Sequence, residues 1–189
     1  RTQQEKMELL DSLATDYLYR DVLQFEKIKN PEILIKILKA LALQLGNQVS
    51  FNELANHLKV SVETIQRYIT ILEHSFVIFK LGSFSRNLRN ELAHSQKYYF
   101  YDLGIRNSLI QHYQTMINRS DTGALWENFC VVERLKHIGN HGIKANHYFW
   151  RTYQQKEIDL IEERDGMLRA FEFKWNSDAK VKEPKLFRD

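Results

Sequence analysis

The sequence predicts an α+β protein in which N-terminal helices and a winged helix-turn-helix precede a separate α/β unit. Three observations predict it. Apolar residues recur at helical spacing through residue 72, with helix-start signals between the runs. Short segments rich in aromatic and β-branched residues then flank a polar, basic stretch. A long amphipathic helix followed by three strand-like segments closes the chain.

Residues 1–30 read as a helical lead-in, with Leu9, Leu10, Leu13, Tyr17 and Val22 as its apolar positions. Asn30-Pro31 is a helix start, since Asn caps and Pro is tolerated in the first turn. Ile33, Leu34, Ile37, Leu38, Leu41 and Leu45 form an apolar stripe that ends near Gly46. Ser50 with Glu53 has the spacing of a capping box and opens a second helix through Leu58. After a turn at Lys59-Val60, Ser61 opens a third, with Val62, Ile65, Ile69 and Leu72 inward and Thr64, Gln66 and Arg67 outward. Strand-like Phe76–Leu81 and Lys97–Tyr101 then flank a polar stretch carrying Arg86 and Arg89, as a wing does. The winged helix-turn-helix is expected over residues 31–101. Thr64, Gln66, Arg67, Arg86, Arg89 and Lys97 are its candidate nucleic-acid contacts, because cations and exposed polar groups meet phosphate.

Residues 102–120 read as a connector with a short helix. Asp121-Thr122 is a capping position for a helix running to about His137, with Leu125, Phe129, Val132 and Leu135 (or Val131) buried. Strands are expected at His147–Arg151, Glu157–Glu162 and Leu168–Trp175, and Asp165-Gly166 is a strong hairpin signal between the last two.

That hairpin brings chemistry together. Strand side chains alternate, so Glu172 and Lys174 share one face while Phe171, Phe173 and Trp175 take the other. Asp159, on the neighbouring strand, can lie beside Glu172. Two gathered carboxylates repel unless a cation or a raised pKa relieves them. Mg²⁺ accepts such carboxylates together with water and a phosphate oxygen, so Asp159 and Glu172 are the candidate metal ligands. Lys174 is placed to orient water or offset charge, and Glu127 on the preceding helix is a further candidate of the same site.

At Glu127, Asp159 and Glu172-Phe173-Lys174 the chain resembles the PD-(D/E)xK nuclease-like superfamily. More narrowly, Gly123–Asn128, Tyr148–Arg151, Glu157–Ile161 and Phe171–Trp175 look like the C-terminal region of a large group of predicted prokaryotic AAA-type ATPases. The stretches Phe51–Phe79, Phe84–Leu88 and Tyr99–Asp102 are similar to that group too. The resemblance implies a restriction-endonuclease-like α/β domain over residues 121–189, after a winged helix and an upstream ATPase domain. It also implies catalytic roles for Asp159, Glu172, Lys174 and Glu127. Two departures accompany it. No G-x-x-x-x-G-K-[ST] run occurs, so ATP is expected only through an upstream domain. The chain ends at Asp189 soon after its third strand, with Lys185-Leu186-Phe187 at the start of an expected crossover helix, so the nuclease-like domain is expected to be truncated.

Bulk properties narrow the function classes without choosing among them. Net charge is +3, too mild to mark a nucleic-acid binder by itself, so local clustering must carry that argument. The single Cys130 cannot form an internal disulfide, and a reducing cytoplasm is the expected setting. No uncharged apolar run approaches the roughly 18 residues of a membrane span, and no membrane partner is expected. The expected function is a DNA-interacting module with a Mg²⁺-dependent site capable of phosphodiester hydrolysis. The alternative is a non-catalytic regulatory or protein-docking module of its own upstream ATPase domain.

Overall fold

Among the described residues, five of the six α-helices open on a side chain that accepts an amide of the first turn. In the computed structural model, which describes residues 2–22, 28, 30–85, 96–152, 154 and 156–176, the first helix α1 (Gln3–Thr15) opens on a full capping box between Thr2 and Glu5. A π-helical turn follows at Asp16–Val22. The next helix, α2 (Pro31–Leu43), is capped by Asn30, whose side chain accepts from the Ile33 amide. Ser50 caps α3 (Phe51–Leu58) and Ser61 caps α4 (Val62–His74), each accepting the amide three residues on. Lys59 ends α3 in the left-handed conformation at φ 55°, which turns the chain within three residues into α4. Then come β2 (Ile78–Ser83) and β3 (Gln96–Phe100), preceded in the chain by the two-residue β1 (Gln48–Val49). Arg86 and Arg89 lie outside the described residues, as does the 177–189 segment holding Lys185-Leu186-Phe187.

The connector holds α5 (Leu103–Leu109), capped by Asp102, and a 3₁₀ turn at Met116–Asn118. The long helix is α6 (Thr122–Asn140), followed by β4 (Asn146–Arg151), β5 (Glu157–Arg164) and β6 (Met167–Phe171). Among the described residues the architecture is mixed α+β, with six α-helices and one six-stranded sheet.

That sheet runs β1-β3-β2-β4-β5-β6, so it continues through both parts of the chain. The join is a short parallel pairing of β2 with β4, Gly82 opposite Tyr148 and Ser83 opposite Phe149, while all other neighbours are antiparallel. Alternation along β2 and β3 lets one hairpin serve two cores. Ile78, Tyr98 and Phe100 pack with Leu34, Ile37, Leu38, Leu41, Ile65 and Leu72 of the helices. Phe79, Leu81 and Tyr99 point the other way and pack with Val131 and Val132 of α6, Phe149 and Leu160. Fully buried aliphatics such as Leu34 and Ile37 each contribute roughly 1.5–3 kcal/mol by leaving water.

Several expectations shift. In the lead-in, Ala14, Leu18 and Val22 are buried while Leu9 and Leu13 are exposed, so the face turned to the core runs through Ala14 rather than Leu13. On α6, Asn128 and Val131 take inward positions and Phe129 is exposed, where it stacks on Trp126. Asp121 sits at the N-cap of α6 but makes no cap hydrogen bond there. Its carboxylate is taken by Arg119 (Nε–Oδ1 2.8 Å) and buried Arg106 (Nη1–Oδ2 2.6 Å). The hairpin at Asp165-Gly166 has both residues at positive φ, 54° and 74°, as a tight two-residue turn requires. The strand after it is shorter than expected, ending at Phe171 rather than Trp175. There the Phe173 amide donates to the Asp159 side chain at 2.7 Å.

Candidate functional site

The face of the sheet covered by α6 collects an unusual set of charges. Glu127 projects from the second turn of α6, and Asn128 beside it holds that turn against β3. The turn after α2 backs onto it: Gly46, at φ 77°, leaves space in which an added Cβ would sit 3.4 Å from Glu127 Oε2. Lys97 and Tyr99 reach the same carboxylate from β3. The Lys97 ammonium is 3.0 Å from Glu127 Oε1, and the Tyr99 hydroxyl donates to that oxygen at 2.6 Å.

A β-bulge adds the other acids. Tyr148 on β4 is opposite Ile161, but Trp150 is opposite Ile158, so β5 carries one extra residue in this interval. Four steps on β4, from His147 to Arg151, therefore match five on β5, from Glu162 to Glu157. The extra residue brings Glu157 to the same face as Glu162, which strict alternation would forbid. Both carboxylates then meet cations on the α6 side. Glu162 is fully buried and takes two hydrogen bonds from Arg134 of α6, at 2.9 and 2.7 Å, with Arg169 at 3.6 Å. Glu157 pairs with Lys97, and Arg151 stands 3.5 Å from its second oxygen.

Asp159, within the bulged interval, completes the group. Glu127, Glu157 and Asp159 each present an oxygen within 4.8 Å of the others. Burial, followed by the charge of Glu127, pushes the Asp159 carboxyl up to about 7, against the Phe173 amide and Lys97, which favour its ionised form. Lys97 shows the balance from the cation's side. Burial alone would lower its pKa, but Glu127 and Glu157 hold it above the ordinary lysine value. Burial and the adjoining Glu127 charge raise the Tyr99 hydroxyl well above its normal range, so it is a donor at neutral pH.

The predicted residues divide. Asp159 and Glu127 come together in the acidic group. Glu172 lies next to it, close enough for its charge to raise Asp159, but outside the group of three. Its carboxylate pairs with Lys174, which that bond holds above the usual lysine pKa. Glu157 and Tyr99 belong to the site and were not singled out by the sequence. The signal for Glu157 was present: it stands two residues from Asp159, the same spacing that drew attention to Glu172 and Lys174. Lys97 was expected among the basic residues of the wing. Instead it is 1% exposed and enclosed by carboxylates, because its register opposite Leu81 aims it at α6. At α4, Gln66 and Arg67 are exposed, with Arg67 lying 5.0 Å over the Tyr68 ring, and half-buried Thr64 shares a hydrogen bond with Ser61.

Comparison with known proteins finds similar mycobacterial sequences. The chain is 27% identical over 183 residues to the uncharacterized protein Rv2008c of Mycobacterium tuberculosis and, equally, to the uncharacterized protein Mb2031c of Mycobacterium bovis. Each alignment covers 96% of this chain, which spans about two-fifths (41%) of the relative's length. No solved structure matches significantly. Residues 122–189, which carry every acidic residue of the site, match the model described as Domain of unknown function (DUF4143). The model described as Domain of unknown function (DUF8612) matches residues 1–116, more than half of the chain, and the protein belongs to that family.

Proposed function

We propose that this chain is a DNA-interacting module with a divalent-metal site of the nuclease type, the C-terminal part of an AAA-type ATPase. The observation that carries the reading is the convergence of Glu127, Glu157 and Asp159 within 4.8 Å, beside the Glu172–Lys174 pair. Three hard oxygen donors suit Mg²⁺ or Mn²⁺, and the Asp159 carboxyl is raised first by burial and then by the Glu127 charge, both of which a bound cation would offset. Glu127, Glu157 and Asp159 would hold the ion, which supplies an activated water and charge stabilisation at phosphorus. The Phe173 amide orients Asp159, the Tyr99 hydroxyl orients Glu127, and Lys174 stands at the rim to meet a phosphate oxygen. The winged-helix reading of residues 31–101 is supported by the α3–turn–α4 pair and the β2–β3 hairpin, with Gln66 and Arg67 presented outward.

One observation favours a second reading. Lys97 already bridges Glu127 and Glu157, which gives the site an internal cation. The same fold would then act as a non-catalytic regulatory or protein-docking module for the ATPase domain. The test is Mg²⁺- or Mn²⁺-dependent cleavage of single- and double-stranded DNA by the parent protein, compared with its Asp159→Asn and Glu172→Ala variants. Cleavage abolished in Asp159→Asn supports the nuclease reading. Cleavage absent from the parent, or unchanged in Asp159→Asn, sinks it in favour of the second.

A further inference from the structure

The position of Lys97 leads beyond the choice between those readings. Its side chain is 1% exposed, and a buried ammonium is costly unless its donors are used. Here the surroundings are built for it. Glu127 Oε1 lies 3.0 Å away, Glu157 Oε1 pairs with it directly, and the Phe149 ring faces it with its centroid 5.4 Å from Nζ. Two of the three carboxylates that would hold a divalent ion are therefore engaged by the protein's own cation. Asp159, the third, has no such bond to Lys97; its Oδ2 accepts the Phe173 amide.

An ion entering this group must take oxygens from an ammonium or share them with it. Like charges a few ångströms apart inside a protein repel strongly, whereas the same pair in water is screened. Backbone constrains the lysine's retreat: Lys97 is central to a hairpin register with Leu81 on one side and Gln48 of β1 on the other. The ammonium can move only along its own flexible stem.

We propose that Lys97 is an internal counter-cation that competes with a divalent metal ion for Glu127 and Glu157 and so sets the metal affinity of the site. This rests on reading the three carboxylates as a metal site. In the metal-free protein Lys97 keeps the acids together without an ion. With an ion bound, its ammonium is displaced from at least one carboxylate. Lys97 is a positioning residue in this account, distinct in role from Lys174 at the rim.

The experiment is Mn²⁺ titration by calorimetry, with thermal melts in parallel, on the wild-type chain and its Lys97→Met and Lys97→Arg variants. Lys97→Met is expected to bind Mn²⁺ at least about ten-fold more tightly than wild type, because a repelling charge has gone. Its metal-free form should melt lower than wild type, and Mn²⁺ should raise its melting temperature by more. Lys97→Arg, which keeps the charge, should not gain affinity. Should Lys97→Met fail to fold, Lys97→Met/Glu157→Gln removes one acid with the ammonium, and its gain is read against Glu157→Gln alone. Equal or weaker Mn²⁺ binding without the lysine overturns the competition while leaving the metal site standing. Binding by Lys97→Met but not by wild type supports the competition and overturns the metal-dependent function. Binding by none of the proteins overturns both.

Discussion

Asn128 treats Phe100 as a β-strand neighbour would. Its Oδ1 accepts the Phe100 amide at 2.9 Å and its Nδ2 donates to the Phe100 carbonyl at 2.8 Å, in a position with no exposure to solvent. One side-chain amide on α6 thus satisfies both backbone groups at the end of β3. The bond pair fixes where α6 sits along that strand, and Glu127 is the next residue. Lys97 and Tyr99, two strand residues pointing at α6, are brought to Glu127 by the same alignment.

Asn128→Ala is therefore expected to lower stability by about 2–4 kcal/mol, since it leaves two buried backbone groups without partners. Urea unfolding of the variant against wild type measures this. Asn128→Asp should be at least as harmful, because a carboxylate cannot donate to the Phe100 carbonyl. A change below about 0.5 kcal/mol would mean that water replaces the amide and that the alignment has another origin.

How much of this was legible beforehand depended on distance along the chain. Local signals read correctly: Asn30, Ser50 and Ser61 cap their helices, and Asp165-Gly166 makes its hairpin. The order of helix and strands offers Glu127 beside Asp159, and the resemblance implies the same pairing. What stayed hidden is decided by pairing between distant segments. Lys97 could be read as a wing cation until its register against Leu81 and the packing of α6 enclosed it. The β5 bulge that turns Glu157 to the face of Glu162 was hidden too, since a single inserted residue leaves no mark in an alternating pattern, although the two-residue spacing of Glu157 from Asp159 was visible. Asp121 has the residue type of a cap, but two arginines, one of them fifteen residues away, outcompete the local amide for its oxygens.

The Asp121 network makes a prediction about acid. Arg119 first, then Arg106, hold the Asp121 carboxyl well below the ordinary carboxylate range. A depressed native pKa contributes stability above the unfolded value of roughly 3.9, and that contribution is lost as pH falls toward the native value. Asp121→Asn should thus cost about 2–4 kcal/mol at pH 7, largely because buried Arg106 loses its counter-charge. In denaturant unfolding at several pH values, the gap from wild type should hold down to about pH 5 and narrow below about pH 4. A gap independent of pH would show that packing, not charge, holds this junction.

Asp159 has the opposite sign. Its carboxyl is raised to about 7, mainly by burial and Glu127, so the native state keeps a proton that the unfolded chain releases near pH 4. Stability is lost as pH rises through this window and levels off above it. Asp159→Asn removes the penalty. Its melting temperature relative to wild type should therefore increase from pH 5 to pH 8 in metal-free buffer, by the equivalent of about 2–4 kcal/mol. A difference that stays flat across that range would place the Asp159 proton elsewhere.

Arg67 carries the test of the DNA-binding reading. It is exposed on α4, lies over the Tyr68 ring and belongs to the helix that a helix-turn-helix would present to a groove. The opposing feature is Glu63 one turn earlier on the same helix, exposed and ionised more readily than an ordinary glutamate. If α4 meets DNA, each cation at a phosphate releases counterion, and log affinity falls linearly with log salt. Removing one such cation by Arg67→Ala should weaken binding and reduce the magnitude of that slope by about one. Glu63→Gln should strengthen binding at low salt. A slope unchanged in Arg67→Ala, with Glu63→Gln equally silent, would exclude α4 from the DNA interface and leave its outward face to a protein partner.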